Sequence, residues 1–291
     1  MNRTKIAASL CAGVLALGLA ACGGNDEGAN PEVKSEVKFE AGTTMDKLNK
    51  AGKITVGVKF DQPGVGFKDP ATGKPEGFDI EMAKIVAAEL GLKPDQIEYV
   101  ETVSKNREPF IQNGRVDIVI ASYSITDTRR QVVGQAGPYY VTGQQLLVRE
   151  EDKDRITGPD KLSGVKVCSV TGSTSIKNAQ EKGAQPVPFS TYTECVQQLL
   201  NKSVDAVTTD GAILLGYAAQ QPDKLEVVGE PFSEERYGIG YKKGDQAFCQ
   251  FLTDTIKKAE ENGDWEKAFK DTLGKAGVET PEKPTPDPCQ S

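Results

Sequence analysis

Between residues 54 and 208 the chain alternates short apolar runs with amphipathic stretches, and it does so twice. In the first half, Ile54–Lys59 reads as a strand and Asp79–Leu90 as a helix. Ile80, Ala83, Val86, Ala87 and Leu90 share one face of that helix, and Gly91 supplies its stop. A strand at Ile97–Val100, a helix near Asn106–Asn113 and a strand at Val116–Ala121 complete the unit. The second half reads strand Val165–Val170, helix Thr174–Glu181, strand Gln185–Phe189, helix Tyr192–Leu200 and strand Val204–Thr208. Ser173 and Thr191 stand where N-caps belong. Both third strands carry a similar signature, Val116-Asp117-Ile118-Val119 and Val204-Asp205-Ala206-Val207. Two βαβαβ units predict an α/β protein with two mostly parallel sheets, each flanked by helices.

Two further apolar runs, Gln145–Arg149 and Tyr237–Lys242, lie between and after the units and read as crossover strands joining two lobes. The helices beyond Gly244 then return to the first lobe. This predicts a discontinuous lobe one, residues 46–146 and 237–279, and a continuous lobe two, residues 147–236. Ligands of open α/β sheets bind beyond the carboxyl ends of the strands, so two facing sheets define one cleft.

The ends of the chain are different in character. Arg3 and Lys5 precede an apolar stretch, Ile6–Ala21, which is too short for a comfortable membrane span and fits a secretory signal over residues 1–21. Leu19-Ala20-Ala21-Cys22 followed by Gly23-Gly24 resembles the bacterial lipobox, which implies cleavage before Cys22 and a lipid on its sulfur. Residues 22–45 are polar and read as a flexible tether, spanning on the order of 25 Å as a coil. Residues 280–291 contain Pro281, Pro284, Pro286 and Pro288 and cannot be helical.

Composition narrows the function. Loss of the signal would leave 270 of the 291 residues and, with Arg3 and Lys5 gone, move the formal net charge from −7 to −9. That size exceeds a usual single core, and an acidic chain without a Lys/Arg cluster is not built for nucleic acid. Cys168, Cys195, Cys249 and Cys289 remain after Cys11 and Cys22 are set aside, and an exported chain with four cysteines predicts two disulfides in one of three pairings. Cys168 lies on a strand of lobe two and Cys195 on a helix over the same sheet, which pairs them. Cys249 on a lobe-one helix is left for Cys289 on the tail. The chain contains no histidine, so triads and histidine–metal sites are excluded, and neither a metal nor a cofactor is expected. Asp79 and Glu81 read as carboxylates favouring a helix dipole.

The strand ends offer hydroxyls and opposite charges. Ala121-Ser122-Tyr123-Ser124-Ile125-Thr126-Asp127-Thr128-Arg129 follows the third strand of lobe one, with Thr126 as N-cap and Arg129 in the first turn. A guanidinium there suits a carboxylate. Thr209-Asp210-Gly211 supplies a carboxylate at the equivalent place in lobe two, and Thr171-Gly172-Ser173-Thr174 a hydroxyl-rich helix start. Arg129 and Asp210 together match the carboxylate and ammonium of an α-amino acid.

At this level the chain resembles the amino-acid-binding proteins of bacterial ABC importers, with the type II periplasmic fold, over roughly residues 46–275. The resemblance rests on Gly77-Phe78-Asp79-Ile80-Glu81, on Ser122–Arg129 and on Thr208-Thr209-Asp210. It implies that Arg129 grips the ligand carboxylate, that Asp210 takes the ammonium, and that Ser122, Ser124 and Thr174 hydrogen-bond the ligand. Ser173 and Tyr237 complete the candidate set. Lys59-Phe60-Asp61-Gln62-Pro63 and Asn106-Arg107-Glu108-Pro109 look most like the glutamate/aspartate-binding branch, and the lipobox, cysteines and tail are similar to actinobacterial glutamate-binding lipoproteins. Lys59 and Arg107 are therefore the candidates for the ligand's side-chain carboxylate. Lys59, Arg107, Arg129 and Asp210 sum to +2, so one cation is expected to pair elsewhere, for instance with Asp61. The resemblance further implies a monomer that is lipid-anchored on the outer face of the cell membrane, closes on its ligand and docks on a permease. Three rivals stand beside this reading: glutamine or asparagine as ligand, a sensor that presents its closed form to a receptor, and a dehydratase of prephenate-like acids.

Overall fold

A computed structural model describes residues 31–289. The signal expected over 1–21, the lipid site Cys22 and the first part of the tether lie outside the described residues. The chain opens with α1 (Thr44–Ala51), β1 (Ile54–Val58), three short strands β2 (Asp61–Gln62), β3 (Gly66–Lys68) and β4 (Pro75–Glu76), and α2 (Phe78–Glu89). It continues with β5 (Ile97–Glu101), α3 (Arg107–Gln112), β6 (Ile118–Val119), α4 (Asp127–Arg130) and β7 (Gly134–Thr142). The second unit comprises β8 (Gln144–Arg149), β9 (Lys166–Val170), α5 (Thr174–Glu181), β10 (Gln185–Phe189), α6 (Tyr192–Leu200), β11 (Ala206–Asp210), α7 (Gly211–Gln220) and β12 (Leu225–Val228). The chain then returns through β13 (Glu235–Tyr241) to α8 (Gln246–Asn262) and α9 (Asp264–Asp271).

Among the described residues these strands form two five-stranded sheets, ordered β5-β1-β6-β13-β7 and β10-β9-β11-β8-β12, and a small sheet β2-β3-β4. The fold is thus α/β and two-lobed. Within each βαβαβ unit the strands are parallel, but β13 and β7 in one sheet, and β8 and β12 in the other, pair antiparallel. The sheets are therefore mixed where mostly parallel ones were expected. Topology explains the difference. The chain enters the second sheet at Gln144, opposite Asp210 at the carboxyl end of β11, and can only run back down it.

Gln145–Arg149 and Tyr237–Lys242, read as crossovers, lie almost wholly in β8 and β13, inside the sheets they enter. The crossings themselves are shorter. Gly143 alone separates β7 from β8, and residues 229–234 separate β12 from β13. They run side by side, with Phe232 N–H donating to Gln144 O at 2.9 Å. A Cβ on Gly143 would lie 2.5 Å from Pro231 Cβ.

The cap residues act as the sequence suggests. Ser173, Thr191 and Thr126 each accept from a backbone N–H in the first turn of α5, α6 and α4. Residues 31–45, expected within the free tether, instead lie against the body. Lys34 N–H donates to Ala88 O, and the Phe39 ring meets Phe251 edge-on at 5.8 Å. Phe78, Tyr139, Tyr140, Trp265 and Phe269 form a buried aromatic cluster, and Trp265 Nε1 donates to Tyr139 O at 2.7 Å. Cys168 on β9 is bonded to Cys195 on α6, and Cys249 on α8 to Cys289 on the tail. Among the described residues no helix is long and apolar enough to cross a membrane.

Candidate functional site

A small polar cavity lies where the carboxyl ends of the two sheets face each other. The first sheet contributes Ser104, Arg107, Ser122 and Ser124; the second contributes Ser173, Thr174, Ser175, Tyr192, Thr209 and Asp210. Lys59, Arg129 and Tyr237 do not line it, but each is one hydrogen bond from a residue that does.

The first wall depends on Asp79. This carboxylate is fully buried and accepts from Ser122 N–H at 2.7 Å and from the Tyr139 hydroxyl at 2.6 Å. Ser122 has φ 42°, and the Asp79 bond holds this strained turn at the cavity edge. Burial pushes the Asp79 carboxyl up to about 6, against the pull of its two donors. Asp79 stands in the first turn of α2, where a carboxylate favours the helix dipole, and is in addition a bracket for the site.

The two arginines sit over one ring, with the Arg107 and Arg129 guanidinium carbons 4.5 and 5.0 Å from the Tyr123 centroid. Arg107 donates through Nε to Ser104 O, through Nη1 to Ala121 O and Ser122 O, and through Nη2 to Gly172 O. One of its five N–H groups is left over. Arg129 donates to Ser124 O at 2.6 Å and Gly172 O at 3.1 Å, and its Nε lies 3.3 Å from Glu108 Oε1. Gly172 belongs to the second unit, so its carbonyl is held by two guanidiniums from the first. A Cβ there would lie 2.8 Å from Lys105 Cα, and φ is +85°. Nothing in the sequence singled out Gly172 or Glu108.

Lys59 Nζ donates to Ser104 Oγ at 2.8 Å. Burial, followed by the neighbouring charge of Arg107, lowers its pKa to about 7. The charge count made from the sequence omitted Asp79, Glu108 and Glu235, which offset the excess of cations; Arg129 pairs with Glu108.

In the second wall, Asp210 ends β11 and precedes α7. It is 4% exposed, and burial followed by the charge of Glu235 raises its carboxyl to about 7. Oδ2 accepts from the Tyr237 hydroxyl at 2.5 Å, while Oδ1 is buried without a partner. The Thr174 hydroxyl donates to Glu235 Oε2 at 2.9 Å, and Ser173 Oγ caps α5 while donating to Val170 O at 2.8 Å. These two hydroxyls are engaged within the protein. A further contact between the units runs from the cavity rim outward: Asp61 accepts from the N–H of the lining residue Tyr192 at 2.7 Å, and the Tyr217 hydroxyl donates to Asp61 O.

Two facing sheets, joined by two short crossings and enclosing a polar cavity at their carboxyl ends, are the architecture of a two-lobed binding protein. Residues 54–275 match the model of the bacterial extracellular solute-binding proteins, family 3, and the chain belongs to that family. It is 37% identical to the glutamate-binding protein GluB of Corynebacterium efficiens over 93% of this chain and 91% of that one. It is 36% identical to the ABC transporter glutamine-binding protein GlnH of Bacillus subtilis, over 87% and 90%. Among solved structures, an ancestral arginine-binding protein bound to glutamine is similar, with TM-score 0.72 and 34% identity, over 77% of this chain and 98% of that one. The protein is an amino-acid solute-binding protein of this family.

Proposed function

We propose that the protein captures an acidic amino acid, glutamate or aspartate, by closing lobe two (residues 147–236) on lobe one (residues 46–146 and 237–279), and that it delivers the ligand to an ABC permease. Asp210 carries the reading: its Oδ1 is a buried acceptor without a partner, in a cavity that Arg107 also lines, with Lys59 and Arg129 one hydrogen bond away through Ser104 and Ser124. The ligand ammonium completes Asp210, Arg129 turns from Ser124 O and Gly172 O to the α-carboxylate, and Arg107 with Lys59 meets the side chain. Similarity to GluB supports the acidic ligand. A glutamine reading has support of its own in GlnH and in the carboxylates that already balance the cations. Calorimetric titration of the delipidated protein with Glu, Asp, Gln and Asn decides between them. Glutamate or aspartate binding tightest supports the proposal; glutamine binding tightest replaces it. Cys22 is proposed to hold the protein at the outer face of the membrane, and an unmodified Cys22 in the mass spectrum of the mature protein would overturn that part.

A further inference from the structure

The proline-rich tail crosses the back of the site. Its Asp287 carboxylate accepts from Arg130 Nη2 at 2.8 Å on one oxygen and from Arg236 Nη2 at 2.7 Å on the other. Asp287 N–H donates to Gly137 O at 2.7 Å. One residue thus touches three elements. Arg130 follows Arg129 in the single turn of α4, Arg236 lies between Glu235 and Tyr237 on β13, and Gly137 is on β7. Two residues further on, Cys289 is bonded to Cys249 on α8, and Lys283 Nζ donates to Glu260 O at 2.6 Å. The tail is therefore pinned on both sides of Asp287.

A helix of four residues has little stability of its own, because a single turn gains few internal hydrogen bonds for the residues it fixes. The placement of α4 must come from its contacts. Thr126 caps it at one end, and Asp287 holds Arg130 at the other. The same carboxylate ties α4 to β13, whose Tyr237 reaches Asp210 and whose Glu235 reaches Thr174. Although partial burial alone would raise the Asp287 carboxyl, its hydrogen bonds and charge contacts with Arg236 and Arg130 hold it below the usual range.

We propose that Asp287 is a positioning residue: from outside the cavity it fixes α4 against β13, and so sets the geometry of Arg129 and Tyr237 on which ligand affinity depends. The inference rests on the reading of those two residues as part of the ligand site.

The test compares wild type with Asp287→Asn, which keeps the shape but removes the charge, and with the Cys249→Ser/Cys289→Ser pair, which frees the tail. Two measurements are made: hydrogen exchange of the ligand-free protein, and titration with Glu, Asp, Gln and Asn. The expected result for Asp287→Asn is faster exchange confined to residues 126–133 and 235–241, with α6 unchanged. Affinity for whichever of the four binds wild type most tightly falls about twofold to fivefold, the size of the upper half of a part-exposed ion-pair contribution. Asp287→Glu restores both. Unchanged exchange in residues 126–133, or a uniform increase over the whole protein with affinity intact, overturns the proposal. If none of the four amino acids binds wild type, the functional reading fails, and the exchange pattern alone still decides whether Asp287 holds α4.

Discussion

Gly216 lies in α7, on the second sheet, facing the loop that follows β2. An added Cβ would sit 2.2 Å from Pro63 O and 3.2 Å from Pro63 Cβ. The obstacle is backbone, so Gly216→Ala forces the two units apart there by about 1 Å to restore ordinary contact. The same stretch carries Asp61, whose bonds to Tyr192 and Tyr217 depend on that approach. Overpacking of this kind costs about 1–3 kcal/mol. If the contact forms only on closure, the whole cost falls on the ligand-bound state, which is about a 5- to 150-fold loss of affinity. Alanine also favours a helix interior over glycine by about 1 kcal/mol, so the ligand-free variant is expected to melt no lower than wild type. Titration and thermal melts with and without ligand give both numbers. Affinity within twofold of wild type would refute the closure argument, and a melting point several degrees lower without ligand would show that the contact belongs to the fold itself.

Arg129→Ala or Asp210→Ala leaves a ligand charge buried without its partner, an expected loss of about 3–5 kcal/mol, or 10² to 10³-fold or more in affinity; titration with the preferred amino acid checks each site separately. Arg107→Met is expected to weaken glutamate more than glutamine, since the lost charge faces the side chain; equal losses would make Arg107 a scaffold for its four carbonyl partners. Glutamate affinity is expected to peak near neutral pH. Asp210, raised to about 7, must be ionised for the ammonium, while Lys59, lowered to about 7, must be protonated for the carboxylate. Lys59→Met removes the alkaline limb only, and a flat profile from pH 5 to 9 refutes the assignment. Stability without ligand runs the other way for Asp210: its raised pKa favours the folded state at low pH, and that contribution is lost as pH rises through about 7.

The repeated βαβαβ pattern was legible because its helices α5 and α6 are half-buried, so their periodicity and caps stand out. β7 was not, since Gly134, Gly137 and Pro138 break its pattern although it pairs along nearly its whole length with β13. α7 was hidden for the opposite reason: buried on several sides, it has no polar face to mark its period. In the site, Asp210 and the serines were readable as strand-end residues, and Arg107 through the family resemblance. The roles of Asp79, Gly172 and Glu108 were not, because each depends on a partner more than twenty residues away. Ser173 and Thr174 were chosen for their hydroxyls, which the fold uses for capping and for Glu235.

The chain has one tryptophan, Trp265, and its indole is fully buried. Its N–H is bound to the carbonyl of Tyr139; the Tyr139 hydroxyl is bound to Asp79, and the Tyr139 ring meets Tyr237, the donor to Asp210. The emission spectrum of this protein thus has a single indole source, wired through two tyrosines to both walls of the cleft. Closure of the cleft is therefore expected to shift the emission of that indole, a readout that requires no label.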